Sequence, residues 1–168
     1  MSTYGRQVLT KTGRDVMVLA DLQDAQFKVG GVTLDCGTFT AAVAPATLAD
    51  QTPVKVGDKY ARFGQIVCEI TSVVNGSKIG FYGPYDPAAT DGRQTLTRGK
   101  CFVVNRTMLE NGIGGATLNT TATDHPQVFD GGTAWKARLL VSSGAASLAA
   151  GPTLAAFEAA FPRIAYAA

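Results

Sequence analysis

IGFYGPYDPAATDGRQTLTRGKCFVVNR, residues 79–106, starts and finishes as strand-like sequence and carries a long polar excursion between the two ends. Gly83-Pro84 and Asp86-Pro87 punctuate the excursion, and each proline pushes the residue before it out of helical geometry. Ala88-Ala89-Thr90 fits a short helical turn opened by Pro87. Asp91-Gly92 then reverses the chain, since glycine tolerates positive φ. Arg93 to Arg98 leads back to the apolar run Cys101-Phe102-Val103-Val104. The expected product is a stiff polar spacer between two core strands, with Tyr82, Tyr85, Asp91 and Arg93 offered to a neighbouring subunit or partner.

Upstream, short strand candidates alternate with turn signals, the spacing of a barrel or sandwich. Gly30-Gly31 predicts a hairpin between residues 26–29 and 32–34. Residues 38–43 form another strand candidate, and Thr47-Leu48-Ala49-Asp50 a helical turn. Val54 and Val56 lead into a Gly57-Asp58 turn, and Gly64 precedes a strand over 65–71. Asn75-Gly76 predicts a hairpin joining residues 72–74 to 79–81.

Downstream, residues 108–124 are rich in Gly, Thr and Asn and read as a loop. Asp130-Gly131-Gly132 predicts a turn before a strand over 134–141, and a small-residue linker follows from Ser142 to Gly151. One helix is expected near 153–161, with Thr153 as N-cap, Leu154, Phe157, Ala160 and Phe161 on one face, and Pro162 as the stop. Arg163 to Tyr166 is a candidate edge strand. Residues 1–20 read as an extended arm, a polar ribbon with apolar points at Tyr4, Val8 and Leu9. Residues 21–168 then make one β-rich domain, long enough to bury roughly two thirds of its unfolded surface.

The bulk numbers limit the function classes. Nineteen glycines, seven prolines and 17% charged residues describe a turn-rich, weakly charged chain of the all-β kind. A net charge of +2 on scattered basic residues argues against direct nucleic-acid binding, which needs a concentrated basic face. No apolar run has the length to span a membrane, and the N-terminus lacks a signal-peptide core, so synthesis in a cytoplasm is expected. Cys36, Cys68 and Cys101 are odd in number and set among apolar residues, which predicts buried free thiols.

Catalytic patterns are missing from the sequence. His125 is the single histidine and sits in Asp-His-Pro, read as an exposed loop position, with no GxSxG around any serine. No CxxC, HExxH or EF-hand alternation provides a metal site, and no paired glycine falls in a phosphate-binding context. The expectation is therefore a non-enzyme without cofactor or metal. One rival pattern exists: residues 54–70 are similar to the half-motif of biotinyl and lipoyl carrier domains. The following hairpin tip, Asn75-Gly76-Ser77-Lys78, lacks the residues that flank a modifiable lysine in those domains.

Phe63-Gly64-Gln65-Ile66-Val67, then Tyr82 to Thr95, then Gly99-Lys100 and the strand Cys101 to Val104 together resemble the head decoration proteins of tailed bacteriophages, the group that includes the lambda head-stabilising protein. The resemblance implies a small β-barrel or β-tulip-like domain with an extended N-terminal arm and one short C-terminal helix. It also implies a homotrimer on the exterior of the virion, made in the host bacterial cytoplasm and bound to the major capsid protein at three-fold and quasi-three-fold sites. There it would cement neighbouring capsomers of the expanded capsid. The arm residues Tyr4, Val8, Leu9 and Arg14 would make the capsid contact. A tail or neck protein built on a similar barrel is the alternative.

Overall fold

All four residues of the apolar run Cys101–Val104 are buried, the mark of a strand covered on both faces. The computed structural model describes residues 18–48, 53–109, 122–125, 127–142 and 147–167. Along these run β1 (Gln26–Phe27), β2 (Val32–Leu34), β3 (Ala46–Thr47), β4 (Pro53–Val54), β5 (Tyr60–Ala61), β6 (Ile66–Glu69) and β7 (Tyr82–Pro84). They are followed by β8 (Cys101–Val104), β9 (Met108–Leu109), β10 (Thr123–His125), β11 (Val128–Trp135), the helix α1 (Leu154–Ala160) and β12 (Arg163–Ala167). The chain is mainly β, with a curled half-barrel sheet and one C-terminal helix. The arm residues Tyr4, Val8, Leu9 and Arg14 and most of the loop 108–124 lie outside the described residues.

The main sheet has the order β1-β11-β8-β6-β7-β2-β10, with β12 joined to β11 off that path. β3 pairs with β4 and β5 with β9 in two small separate ribbons. β6 lies between β7 and β8 and is antiparallel to both, so β7 and β8 run parallel to each other. Parallel strands cannot be joined by a tight turn and need a crossover of about a dozen residues or more. That requirement accounts for the long polar excursion from Tyr85 to Lys100, which travels the length of β6 to bring β8 in on its far side.

Alternation along β6 and β8 divides the core into two layers. Ile66, Cys68, Cys101 and Val103 face one cluster with Phe129, Leu139, Phe157 and Phe161, onto which Tyr85 and Leu96 of the crossover pack. Val67, Phe102 and Val104 face the other, with Val32, Leu34, Phe39, Tyr82 and Val128. α1 covers the first layer. Thr153 caps it by accepting the Ala156 N–H at 3.2 Å, and the Phe157 and Phe161 rings stack at 4.7 Å. After Pro162 the chain returns as β12, parallel to β11 from Gly131–Arg163 to Trp135–Ala167.

Several local expectations change in the fold. The Gly30-Gly31 turn forms, with both φ positive and Gly31 N–H donating to Lys28 O. It joins no hairpin: β1 pairs with β11, while β2 pairs with β7 and β10. Lys28 N–H continues the β1 ladder onto Val128 O at 3.0 Å, so the turn is a corner of the sheet. Asn75-Gly76 likewise makes a tight turn, but its flanks are loop, and the strands it serves are β6 and β7.

The strand expected over 38–43 gives way to a short 3-10 turn at Cys36–Thr38, because the Asp35 side chain accepts the Gly37 N–H and draws the backbone into a turn. The turn expected at 130–132 lies inside β11, and the strand starts at Val128 instead of Ala134. Gly132 has φ +122°, and a Cβ there would stand 3.0 Å from Ala25 Cα. Glycine thus serves close strand approach and a bend. His125 is in β10, paired with Val32, and not in a loop.

Val18 and Leu19, inside the segment 1–20 read as an arm, belong to the core. Leu19 bridges Ala134, Ala20 N–H donates to Thr133 O at 2.8 Å, and Trp135 N–H donates to Val18 O at 2.8 Å. Any free arm therefore ends before Val18.

Candidate functional site

The crossover is fastened by the residues that make its sequence distinctive. Asp91 and Arg93 flank Gly92, whose φ of +110° is open to glycine at little cost. That bend turns the Arg93 guanidinium back so that Nε donates to both Asp91 carboxylate oxygens at 3.0 Å, while Nη1 donates to Pro84 O at 3.1 Å. The pair is enclosed, with side-chain exposures of 12% for Arg93 and 3% for Asp91.

Two glycines make room for this clasp. A Cβ on Gly83 would stand 2.6 Å from Arg93 Cδ and 2.4 Å from Thr38 Oγ1. A Cβ on Gly92 would stand 2.4 Å from Thr71 Oγ1. The backbone of Asp91 is held as firmly: its carbonyl accepts the N–H groups of Thr71 at 2.8 Å and Ser72 at 3.2 Å. Asp35, also buried, ties the neighbouring loop by accepting the N–H groups of Gly37 at 3.0 Å and Lys78 at 2.9 Å.

Between the two loops lies a cleft of about 340 Å³, bordered by Asp35, Asn75, Thr90, Asp86, Asp91 and Arg93. Its carboxylates hold backbone or a guanidinium: Asp86 accepts the Ala88 N–H at 2.9 Å, Asp35 two N–H groups and Asp91 the arginine. A carboxylate committed to fixed donors is poorly placed to exchange a proton with a substrate. Among the described residues, no group of three or more His, Cys, Asp or Glu side chains comes together as a metal site. Among the same residues, no helix is long and apolar enough to cross a membrane.

The four crossover residues expected to face a neighbour therefore divide differently. Tyr82 is buried in the second core layer, edge-on to Phe102 with ring centroids 5.9 Å apart, and burial pushes its hydroxyl pKa up. Asp91 and Arg93 are spent on each other. Tyr85 is half-buried against the first layer, where burial likewise raises its pKa. Contact with a neighbour through Tyr82, Asp91 and Arg93 is corrected to an internal role, because a charged pair in a Gly-lined recess is satisfied within its own chain. The crossover residues presented outward are Pro87, Ala88, Thr90, Gln94, Thr95 and the run from Thr97 to Lys100.

A second surface was not visible in the sequence. Ala42 N–H donates to Asp58 O and Gly57 N–H to Ala42 O, both at 2.8 Å, which brings the loops of Val43 and Val56 side by side. Val43 is 91% exposed and Val56 64%. Val73 and Ile79, on the loop between β6 and β7, are exposed as well. In the sequence these valines look like strand interiors; only the bonds between the loops reveal them as outward tips. Lys78 does not crown a hairpin tip, which is Asn75-Gly76, and its amine lies 5.5 Å over the Phe81 ring.

Compared with protein families, with curated proteins and with solved structures, the chain matches none.

Proposed function

We propose that this chain is a structural virion protein that binds the outside of an expanded phage capsid as a homotrimer and cements neighbouring capsomers. The major capsid protein is the partner, and no catalysis, cofactor or nucleic acid takes part. The observation that carries this reading is the paired exposure of Val43 and Val56 on hydrogen-bonded loops beside a filled two-layer core. Val43 and Val56 stand exposed on adjacent loops although the core is filled, and exposed apolar side chains on one region of the surface support a contact role. The resemblance of residues 63–67 and 82–104 to head decoration proteins supplies the kind of partner.

The mechanism follows from linkage. A ligand that binds the expanded lattice and not the unexpanded one stabilises the expanded form by mass action. An arm preceding Val18 adds a strand to an exposed sheet edge through main-chain hydrogen bonds, with Tyr4, Val8 and Leu9 setting register. Ordering one arm costs entropy. Three arms on one rigid trimer bind roughly 10²- to 10⁴-fold more tightly than one, provided all can engage.

Removing residues 1–17 tests the assignment of the arm, since the cut stops short of the buried Val18 and Leu19. The shortened chain should still sediment as a trimer and should lose capsid binding. Undiminished binding would remove the arm from the mechanism, and a monomeric full-length chain would remove the trimer.

A further inference from the structure

Cys68 of β6 and Cys101 of β8 stand directly opposite each other in the antiparallel ladder. The main-chain bonds fall on either side: Glu69 N–H donates to Lys100 O at 2.8 Å, and Val104 N–H to Gln65 O at 2.9 Å. Bonded and non-bonded pairs alternate along such a ladder, so the cysteines occupy a non-hydrogen-bonded position, where Cα atoms approach to about 4.5 Å. That separation is within the roughly 4.4–6.8 Å that a disulfide spans. Both side chains point into the same core layer, and their Sγ atoms lie 2.7 Å apart. Both thiols are free.

The pair is buried beside a cavity. A cavity of about 330 Å³ is lined by both cysteines together with Glu69, Thr97 and Lys100. There Thr97 N–H donates to Cys101 Sγ at 3.4 Å. Contact with Cys68 and this backbone donor hold the Cys101 thiol below its usual pKa, whereas contact with Cys101 and burial push Cys68 up. The Thr97 N–H stabilises a thiolate on Cys101 and not on Cys68, which makes Cys101 the nucleophile of the pair and Cys68 the resolving thiol. Cys36 belongs to the opposite core layer and is excluded from the pair by the sheet itself.

We propose that Cys68 and Cys101 form a modification site, a dithiol that a small peroxide converts into a cross-strand disulfide. The Cys101 thiolate attacks one peroxide oxygen, the O–O bond breaks, and the departing hydroxide takes up the proton that Cys101 released. The resulting sulfenic acid is attacked by the Cys68 sulfur; the S–S bond forms, the S–O bond breaks, and water leaves with the Cys68 proton. Overall two thiols lose two electrons and two protons, and one peroxide becomes two waters. The bond would staple β6 to β8 and close a loop with a sequence separation of 33 that contains β7 and the whole crossover. The thiols would persist in a reducing cytoplasm and close where oxidant is present. This site does not depend on the capsid reading.

The test treats the purified, reduced full-length chain with hydrogen peroxide, then denatures it, alkylates free thiols and maps peptides. The expected product has lost two hydrogen atoms, links the Cys68 and Cys101 peptides, and leaves Cys36 alkylated. Its thermal midpoint should rise by roughly 5–15 °C and fall back on adding dithiothreitol. Cys36→Ser should behave like the parent chain, and Cys101→Ala should give neither link nor rise. Three alkylated cysteines, a bond through Cys36, or a Cys101 sulfinic acid without a link would each overturn the proposal. The peptide map of the unsubstituted chain decides this even if Cys101→Ala does not fold.

Discussion

Arg93 Nε lies 3.0 Å from each carboxylate oxygen of Asp91, two residues away, in a recess that also gives its Nη1 the Pro84 carbonyl. The clasp joins the start of the crossover to its middle and depends on chemistry that no other residue pair at this spacing reproduces. Arg93→Ala leaves Asp91 as a buried, unpaired carboxylate and is expected to lower unfolding free energy by about 3–5 kcal/mol. Arg93→Lys keeps the charge and loses the fork, so it should recover only part of that loss. Urea titration of the three chains checks the order, and equal stability of all three would refute the clasp.

Gly83 and Gly92 serve the same clasp for different reasons, which predicts different responses. Gly92→Ala meets both an unfavourable φ and the Thr71 hydroxyl, and should cost clearly more than about 1 kcal/mol. Gly83→Ala has an ordinary φ but displaces Arg93 and Thr38, so only part of its cost should disappear in an Arg93→Ala background, the Thr38 contact at 2.4 Å remaining. Gly76→Ala faces open space and pays only for its φ of +81°. Chemical denaturation of the single and double variants gives the ranking; a Gly76→Ala loss as large as that of Gly92→Ala would contradict it.

Asn105 Oδ1 accepts the N–H groups of both Val18, at 3.1 Å, and Leu19, at 3.0 Å, from 87 and 86 residues away. Asn105→Ala leaves the buried Leu19 N–H without its acceptor, whereas Val18 N–H keeps the Asn105 main-chain carbonyl at 3.1 Å, and should destabilise the domain by about 1–3 kcal/mol. Amide hydrogen exchange should accelerate at Leu19 more than at Cys101–Val104. Unchanged protection at Leu19 would show that this side chain does not hold the segment.

Tyr166 packs against the first core layer, and burial together with nearby Glu158 pushes its pKa up to about 12. A raised folded-state pKa means that the folded chain binds the proton more tightly than the unfolded chain. The associated stability is present below the ordinary tyrosine value of about 10 and is lost as pH rises towards about 12. Tyr166→Phe should therefore flatten the alkaline fall in stability. An ultraviolet tyrosinate titration of the parent chain should contain a component near that value that the variant lacks.

The sequence made the mainly β class, the helix with its Thr153 cap, the returning strand after Pro162 and the buried thiols legible, because each rests on local propensity or on a short hydrophobic pattern. Pairing was not legible. Gly30-Gly31 carries a hairpin signal, yet β1 and β2 lie on different parts of the sheet, since partner choice depends on which faces bury Val32, Leu34 and Val128 together. Gly131-Gly132 looks like a turn and is a bend within a strand, a distinction made by the approach of Ala25 from more than a hundred residues away. The crossover residues were marked by an unusual sequence texture, but texture does not distinguish an internal clasp from an outward contact. Only the meeting of Arg93 with Asp91 and Gly83 does so.

The proposed cementing of an expanded capsid is tested by co-sedimentation of the full-length chain with expanded and unexpanded capsids of tailed phages. The expected result is saturable binding to expanded capsids alone, in multiples of three per site, weakened at least tenfold by Val43→Asp with Val56→Asp while the fold is retained. A chain that stays in the supernatant with expanded capsids, or that binds both lattices equally, would contradict it.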